Sequence, residues 1–191
     1  MNSKEIKKEA ASGKIRTNIL YQGKLISLKE DIIPSKKGCK HHESVVHPGA
    51  VVLIPVTEEG KIIFVRQYRH SALQILTELP AGTLEPDEDP FLCAQRELQE
   101  EIGKKAEELT LCGGFFTTPG FCNEYIHLFL AQRMIPSRLE AEDTEEIDSI
   151  VLSIEEAERL IFAHEIMDAK TICGIFFLQK WLHASFSSPL K

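Results

Sequence analysis

Long apolar runs are missing from this 191-residue chain, and that absence is the first constraint on what it can be. A bilayer-spanning helix needs roughly 20 consecutive apolar residues, and no such stretch is present, so the sequence argues against a membrane partner. The segment Met1 to Lys14 is polar and basic, without the apolar core of a secretory signal. Excess basic charge is also missing. Lys and Arg number 22 against 29 Asp and Glu, a formal net charge of −7 at pH 7. Broad binding to nucleic acid depends on a basic surface that releases counterions, which argues against that class of partner. The cysteines, Cys39, Cys93, Cys112, Cys122 and Cys173, are odd in number and show no C-x-x-C spacing. Free thiols in a reducing cytoplasm are therefore the expectation, in place of a disulfide framework. What is present is an ordinary globular composition, 43% hydrophobic and 27% charged. The length suits one good core with a smaller appended segment.

Short apolar pieces, Ile19-Leu20-Tyr21, Leu25 to Leu28 and Ile32-Ile33, precede the turn-like Pro34-Ser35-Lys36-Lys37-Gly38. They predict an antiparallel meander over residues 1–45, too poor in apolar surface to stand alone. Cys39-Lys40-His41-His42 lacks a fourth ligand at zinc spacing and reads as a loop. From residue 46 a second domain runs to 191. Ala50 to Val56 is a continuous apolar run suited to a buried strand, Glu58-Glu59-Gly60 a turn, and Lys61 to Tyr68 a second strand, together a hairpin. Further strands are expected at Leu109–Phe116, Tyr125–Gln132 and Ile147–Leu152. Ser153 with Glu156 fits a capping box, and Asp168 opens a closing helix. This order predicts an α/β sandwich with mixed strand pairing.

The most informative stretch is Gly82 to Gly103, G-T-L-E-P-D-E-D-P-F-L-C-A-Q-R-E-L-Q-E-E-I-G. Asp89 suits an N-cap, Pro90 the first helical position and Gly103 the C-terminal stop. At about 100° per residue, Glu97, Glu100 and Glu101 share one arc of roughly 100°. Phe91, Ala94, Leu98 and Ile102 share the adjoining, core-facing arc. Three converging carboxylates repel one another unless a hard divalent cation, Mg²⁺ or Mn²⁺, neutralises them. Along the strand at Arg66-Gln67-Tyr68-Arg69-His70, alternation lets only one of Arg66 and Arg69 face a pocket.

Gly82, Glu88, Arg96, Glu97, Leu98, Glu100, Glu101 and Gly103 stand at the spacing of the Nudix hydrolase signature, which the chain therefore resembles. Lys104 departs from the aliphatic residue usual after the last glycine. The resemblance implies a curved mixed sheet between helices, an α/β/α sandwich, behind the N-terminal β segment. It implies metal ligands at Glu97, Glu101, Glu100 and the main-chain carbonyl of Ala81, with Glu100 able to hold a second ion. It also implies that Arg96 points away from those ligands and pairs with Glu88 as a brace, and that Gly82 admits substrate. Within the family, the Gln-aromatic-Arg segment favours Arg69 as the substrate arginine. Pro119, sixteen positions after Gly103, stands at the spacing of the ADP-ribose pyrophosphatases. The general base would be a glutamate of the acidic loop Leu139 to Ile147; Glu145 is favoured, with Glu142 and Glu146 the alternatives. The activity implied is Mg²⁺-dependent splitting of ADP-ribose in a cytoplasmic homodimer, the N-terminal segment serving dimerisation and substrate contact. Another nucleotide sugar such as GDP-mannose, or a non-catalytic effector-binding module, are the rival readings.

Overall fold

The computed structural model describes residues 15–35, 38–140 and 147–187, with side chains through Trp181. The chain divides into two compact units, one of residues up to Pro48 with Phe116–Glu124, the other of Gly49–Phe115 with Tyr125 onward.

In the first unit β1 (Arg16–Gln22), β2 (Ser27–Ser35) and β3 (Gly38–Val46) form the expected antiparallel meander. The β2–β3 ladder runs without a break from Ser27↔Val46 to Ser35↔Gly38. It therefore takes in Cys39 to His42, which are strand rather than loop: each finds a backbone partner in β2, and His41 Nδ1 lies 2.7 Å from Glu30 Oε1. Ile19 and Tyr21 of β1 stay 58% and 59% exposed. The segment Phe116–Glu124 is tied on through Val45, whose N–H donates to the Phe121 carbonyl at 2.7 Å.

The second unit has two sheets, ordered β10-β5-β6 and β7-β4-β9-β8. Their strands are β4 (Ala50–Pro55), β5 (Ile62–Arg69), β6 (Gln74–Glu78), β7 (Ala81–Thr83), β8 (Lys104–Phe116), β9 (Tyr125–Pro136) and β10 (Asp148–Leu152). Among the described residues three helices complete it, α1 (Pro90–Ile102), α2 (Ile154–Phe162) and α3 (Ala169–Ser187). The capping box at α2 forms as predicted, Ser153 bonding to the Glu156 N–H and Glu156 to that of Ser153.

A second expectation fails. β4 and β5 meet at a single bridge, Val56↔Ile62, and then part into different sheets. β4 and the first half of β5 are buried, so their backbone groups need partners on two edges: β4 takes β9 in parallel and β7 antiparallel, β5 takes β10 and β6. β8 begins at Lys104, earlier than predicted: its first residues include the exposed Glu107 and Glu108, which give no apolar signal in the sequence.

Alternation along β4 divides the core. Val52 and Ile54 pack in a cluster with Leu79, Leu128, Ala157 of α2 and Ile175 of α3. Val51 and Leu53 pack on the other face with Phe129 and with Cys93, Ala94 and Leu98 of α1. Helices thus lie on both faces of this sheet, an α/β/α arrangement. Among the described residues, no helix is long and apolar enough to cross a membrane.

Candidate active site

Local chemistry fixes the phase of α1. Asp89 caps it, Oδ1 accepting from the Phe91 N–H at 2.8 Å, and Pro90 follows. At the far end Gly103 adopts φ 67°, a left-handed turn that a Cβ would strain, and its N–H donates to the Leu98 carbonyl. Ala94 and Leu98 are fully buried, and Phe91, half-exposed, sets its ring edge-on to Phe129 at 4.8 Å.

With that face anchored, Glu97 and Glu101 turn toward the bend at Ala81 and Gly82, while Glu100 meets Arg96. Glu101 Oε2 accepts the Ala81 N–H at 3.1 Å. A Cβ on Gly82 would stand 1.8 Å from the Glu97 carboxyl, so only glycine allows this approach. Burial pushes the Glu97 carboxyl up to about 7, although Arg96 opposes the shift. Burial, then the charge of Glu97, raises Glu101 to about 8. Glu97 thus makes ionisation of Glu101 more costly, and Glu100 does the same to Glu97.

Arg96 corrects an expectation. Its Nε and Nη2 grip the two oxygens of Glu88 at 3.0 Å each, as the resemblance implies. It does not point away from the ligands, however: Nη1 donates to Glu97 at 2.6 Å and Glu100 at 3.2 Å. Five N–H donors in a planar fork can serve Glu88 and two helix neighbours together. Nη2 also reaches the Thr83 carbonyl at 3.2 Å and Cys93 Sγ at 3.3 Å, and the Cys93 thiol donates to the same carbonyl at 3.7 Å. The hydrogen bonds from Arg96 hold Glu88 below the usual carboxylate range.

Among the described residues no three acidic, His or Cys side chains close around a common point, since Arg96 draws Glu97 and Glu100 to itself. The donor set still fits a hard divalent cation. It offers only oxygen, and full ionisation of Glu97 and Glu101 at neutral pH calls for more positive charge than an arginine already shared with Glu88 supplies. Glu97, Glu100, Glu101 and the Ala81 carbonyl are the groups that would hold such an ion.

Of the two arginines on β5, Arg66 is exposed, and Arg69 shares the inward face with Val65 and Gln67. Arg69 donates through Nε and Nη2 to both oxygens of Glu78, at 2.8 and 2.7 Å. Glu78 is 1% exposed and also takes a bond from Lys170. Burial pushes the Glu78 carboxyl up, and the bond from Arg69 and the charge of Lys170 outweigh that and hold it low. Buried Gln67 keeps an Nε2 without a protein partner beside Arg69. Sequence reasoning missed Glu78, Lys170 and Gln67; the only signal was a lone acid before Leu-Pro-Ala-Gly and a lysine inside an apolar helix.

Pro119 belongs to the first unit, where it lines a cavity of about 480 Å³ with Lys29, Phe116, Phe121 and Asn123. Glu124, in the same unit, accepts from Thr117 Oγ1 at 2.8 Å. Glu145, with Glu142 and Glu146, lies outside the described residues.

The NUDIX domain model matches residues 46–173. An ADP-ribose pyrophosphatase of Bacillus subtilis (strain 168) is 41% identical over 164 residues, 84% of this chain and 88% of that protein. A methanol dehydrogenase activator of Bacillus methanolicus is 38% identical, covering 86% of this chain and 91% of its own length. A GDP-mannose pyrophosphatase of Cronobacter sakazakii (strain ATCC BAA-894) is 31% identical over 69% of this chain and 73% of its own. A crystal structure of an ADP compounds hydrolase superposes with TM-score 0.80 at 20% identity, covering 90% of this chain and 94% of that one, which speaks to the fold alone. The domain match and the identities agree with the spacing of residues 82–103, and the chain belongs to the Nudix hydrolase family.

Proposed function

We propose that this chain is a cytoplasmic, homodimeric, Mg²⁺-dependent hydrolase that splits the diphosphate of ADP-ribose into AMP and ribose 5-phosphate. One observation carries the reading: Glu97, buried, and Glu101, partly buried, are carboxyls pushed above their ordinary range that face the Gly82 bend on a helix that Arg96 ties to Glu88. The identity to the Bacillus subtilis protein, across most of both chains, supports ADP-ribose as the substrate.

When bound, the ion neutralises charge on the diphosphate and lowers the pKa of the attacking water. The chain supplies the rest. Glu97, Glu100 and Glu101 hold the metal set, with the Ala81 carbonyl beside them, and Arg96 and Glu88 keep the loop registered on α1. Gly82 leaves the approach open. Arg69 faces the diphosphate oxygens, with Gln67 as a further donor, and Arg66 draws the anion from the outer face. Pro119 shapes the substrate-binding loop. Glu145 takes the proton as the water oxygen bonds to phosphorus and the bond to the bridging oxygen breaks, that oxygen leaving with the second phosphate.

The test is product analysis on ADP-ribose, GDP-mannose, ADP-glucose, NADH and diadenosine polyphosphate, with Mg²⁺ and with EDTA. Metal-dependent AMP and ribose 5-phosphate, fastest from ADP-ribose, is the expected result. The GDP-mannose reading is favoured by the Cronobacter sakazakii relative, and a preference for that sugar would move the specificity while keeping the chemistry. Silence across the panel would overturn the enzyme and bring forward an effector-binding module.

A further inference from the structure

The first turn of α3 holds an ion-pair network that no step above uses. Lys170 is 15% exposed and bonds to Glu78 Oε2, the oxygen that Arg69 Nη2 also takes. Its ammonium also lies 3.0 Å from Asp168 Oδ2. Asp168 in turn caps α3, accepting from the Thr171 N–H at 3.0 Å and from Thr171 Oγ1 at 2.6 Å. Fully buried Thr171 then accepts the Leu79 N–H at 2.7 Å. Two adjacent residues of β6 and the turn after it, Glu78 and Leu79, are thus fastened to two adjacent residues of α3.

The geometry gives this lacing a purpose beyond docking a helix. In the β5–β6 ladder Arg69 lies opposite Gln74, whereas Glu78 lies opposite Val65. The Arg69 side chain therefore runs back along the sheet to reach its carboxylate. A long side chain laid over a sheet has many rotamers of similar energy, and ordering it costs conformational entropy. The bidentate clamp selects one. It occupies Nε and Nη2, and among the described residues Nη1 has no hydrogen-bond partner. The clamp aims the guanidinium only as well as Glu78 is itself held, and Lys170 is the group that holds it from the other side.

We propose that Lys170 is a positioning residue for substrate binding: through Glu78 it fixes the orientation of Arg69, so that the free edge of the guanidinium meets the diphosphate. This inference rests on the proposed hydrolysis of a nucleoside diphosphate sugar. Loss of Lys170 leaves Glu78 paired with Arg69 and leaves the Thr171–Leu79 bond in place, so the fold survives while the clamp swings.

Steady-state kinetics on ADP-ribose with Mg²⁺ test it in the wild type, Lys170→Met, Lys170→Arg, Arg69→Ala and the Lys170→Met/Arg69→Ala pair, alongside thermal unfolding. Lys170→Met is expected to raise KM about tenfold with kcat within about threefold. Lys170→Arg restores KM, because it returns a cation to Glu78. In the paired variant Lys170→Met adds nothing to the cost of Arg69→Ala, the mark of residues acting through one another. An unchanged KM in Lys170→Met, or additive costs in the pair, would overturn the inference with the proposed function intact. A loss of melting temperature and kcat that Lys170→Arg fails to restore would reduce Lys170 to a structural ion pair and also overturn it. A wild type silent on the whole substrate panel overturns the proposed function, and this inference with it.

Discussion

Single residues carry the chemistry here, and their environments make opposite demands. Glu101 is a carboxyl raised to about 8 beside a second raised to about 7. Both folded values lie above the ordinary value of 4.5, so the stability they contribute is fully present below pH 4.5. It is lost as pH rises through 7 and 8. In EDTA the melting temperature should therefore fall between pH 5 and pH 8.5 within that window, and Mg²⁺ should restore more of it at the alkaline end, where the ligands are ionised. A flat profile with EDTA would contradict the buried pair. Glu101→Gln removes one of the two titrating groups, makes this limb shallower and lowers kcat by about a thousandfold or more if the metal set is as proposed; a near wild-type rate would remove Glu101 from it. Gly82→Ala should be as damaging by a different route, since the new methyl collides with the Glu97 carboxyl at 1.8 Å and must displace it. Residue spacing showed where these carboxylates lie, because a helix repeats at a fixed angle. It did not show where Arg96 would turn, because that depends on which carboxylates come within reach of its fork in three dimensions.

At the scale of elements, the ends of α1 were written in the chain as Asp89-Pro90 and Gly103, chemistry that acts within four residues. Gly103→Ala puts a Cβ on a left-handed residue and should cost about 1–2 kcal/mol of stability, read by denaturant unfolding. The capping box of α2 was legible for the same local reason. The parting of β4 and β5 into different sheets was not. A strand apolar on both faces announces that it is buried and says nothing of which edge finds which neighbour, and here β9, more than 70 residues away, claims the edge of β4. Glu78 and Lys170 were silent for a related reason: their 92-residue separation hides a contact that only the docking of α3 on β6 creates.

For the molecule as a whole, the sandwich followed from the order of elements, while the division of its core did not. β4 serves two clusters, one backed by α1 and the other by α2 and α3. Leu53→Ala and Ile54→Ala remove side chains of equal size from the same buried strand, and each should cost about 2–5 kcal/mol. Their effects on turnover should differ. Leu53 supports the helix that carries Glu97 and Glu101, so its loss should depress kcat, whereas Ile54 supports α3 and its loss should raise KM through Lys170 and Arg69. Equal changes in both constants would mean that the two clusters yield as one.

The thiol of Cys93 has a use that follows from its surroundings. It is fully buried on the inner face of α1, bonded to the Thr83 carbonyl and touched by Arg96, and burial pushes its pKa up, while Cys39 stands exposed on β3. A thiol reagent should therefore modify Cys39 promptly and reach Cys93 only when α1 lifts from the sheet. The rate of that slow labelling is an intrinsic clock for the opening of the site, and it needs no engineered probe.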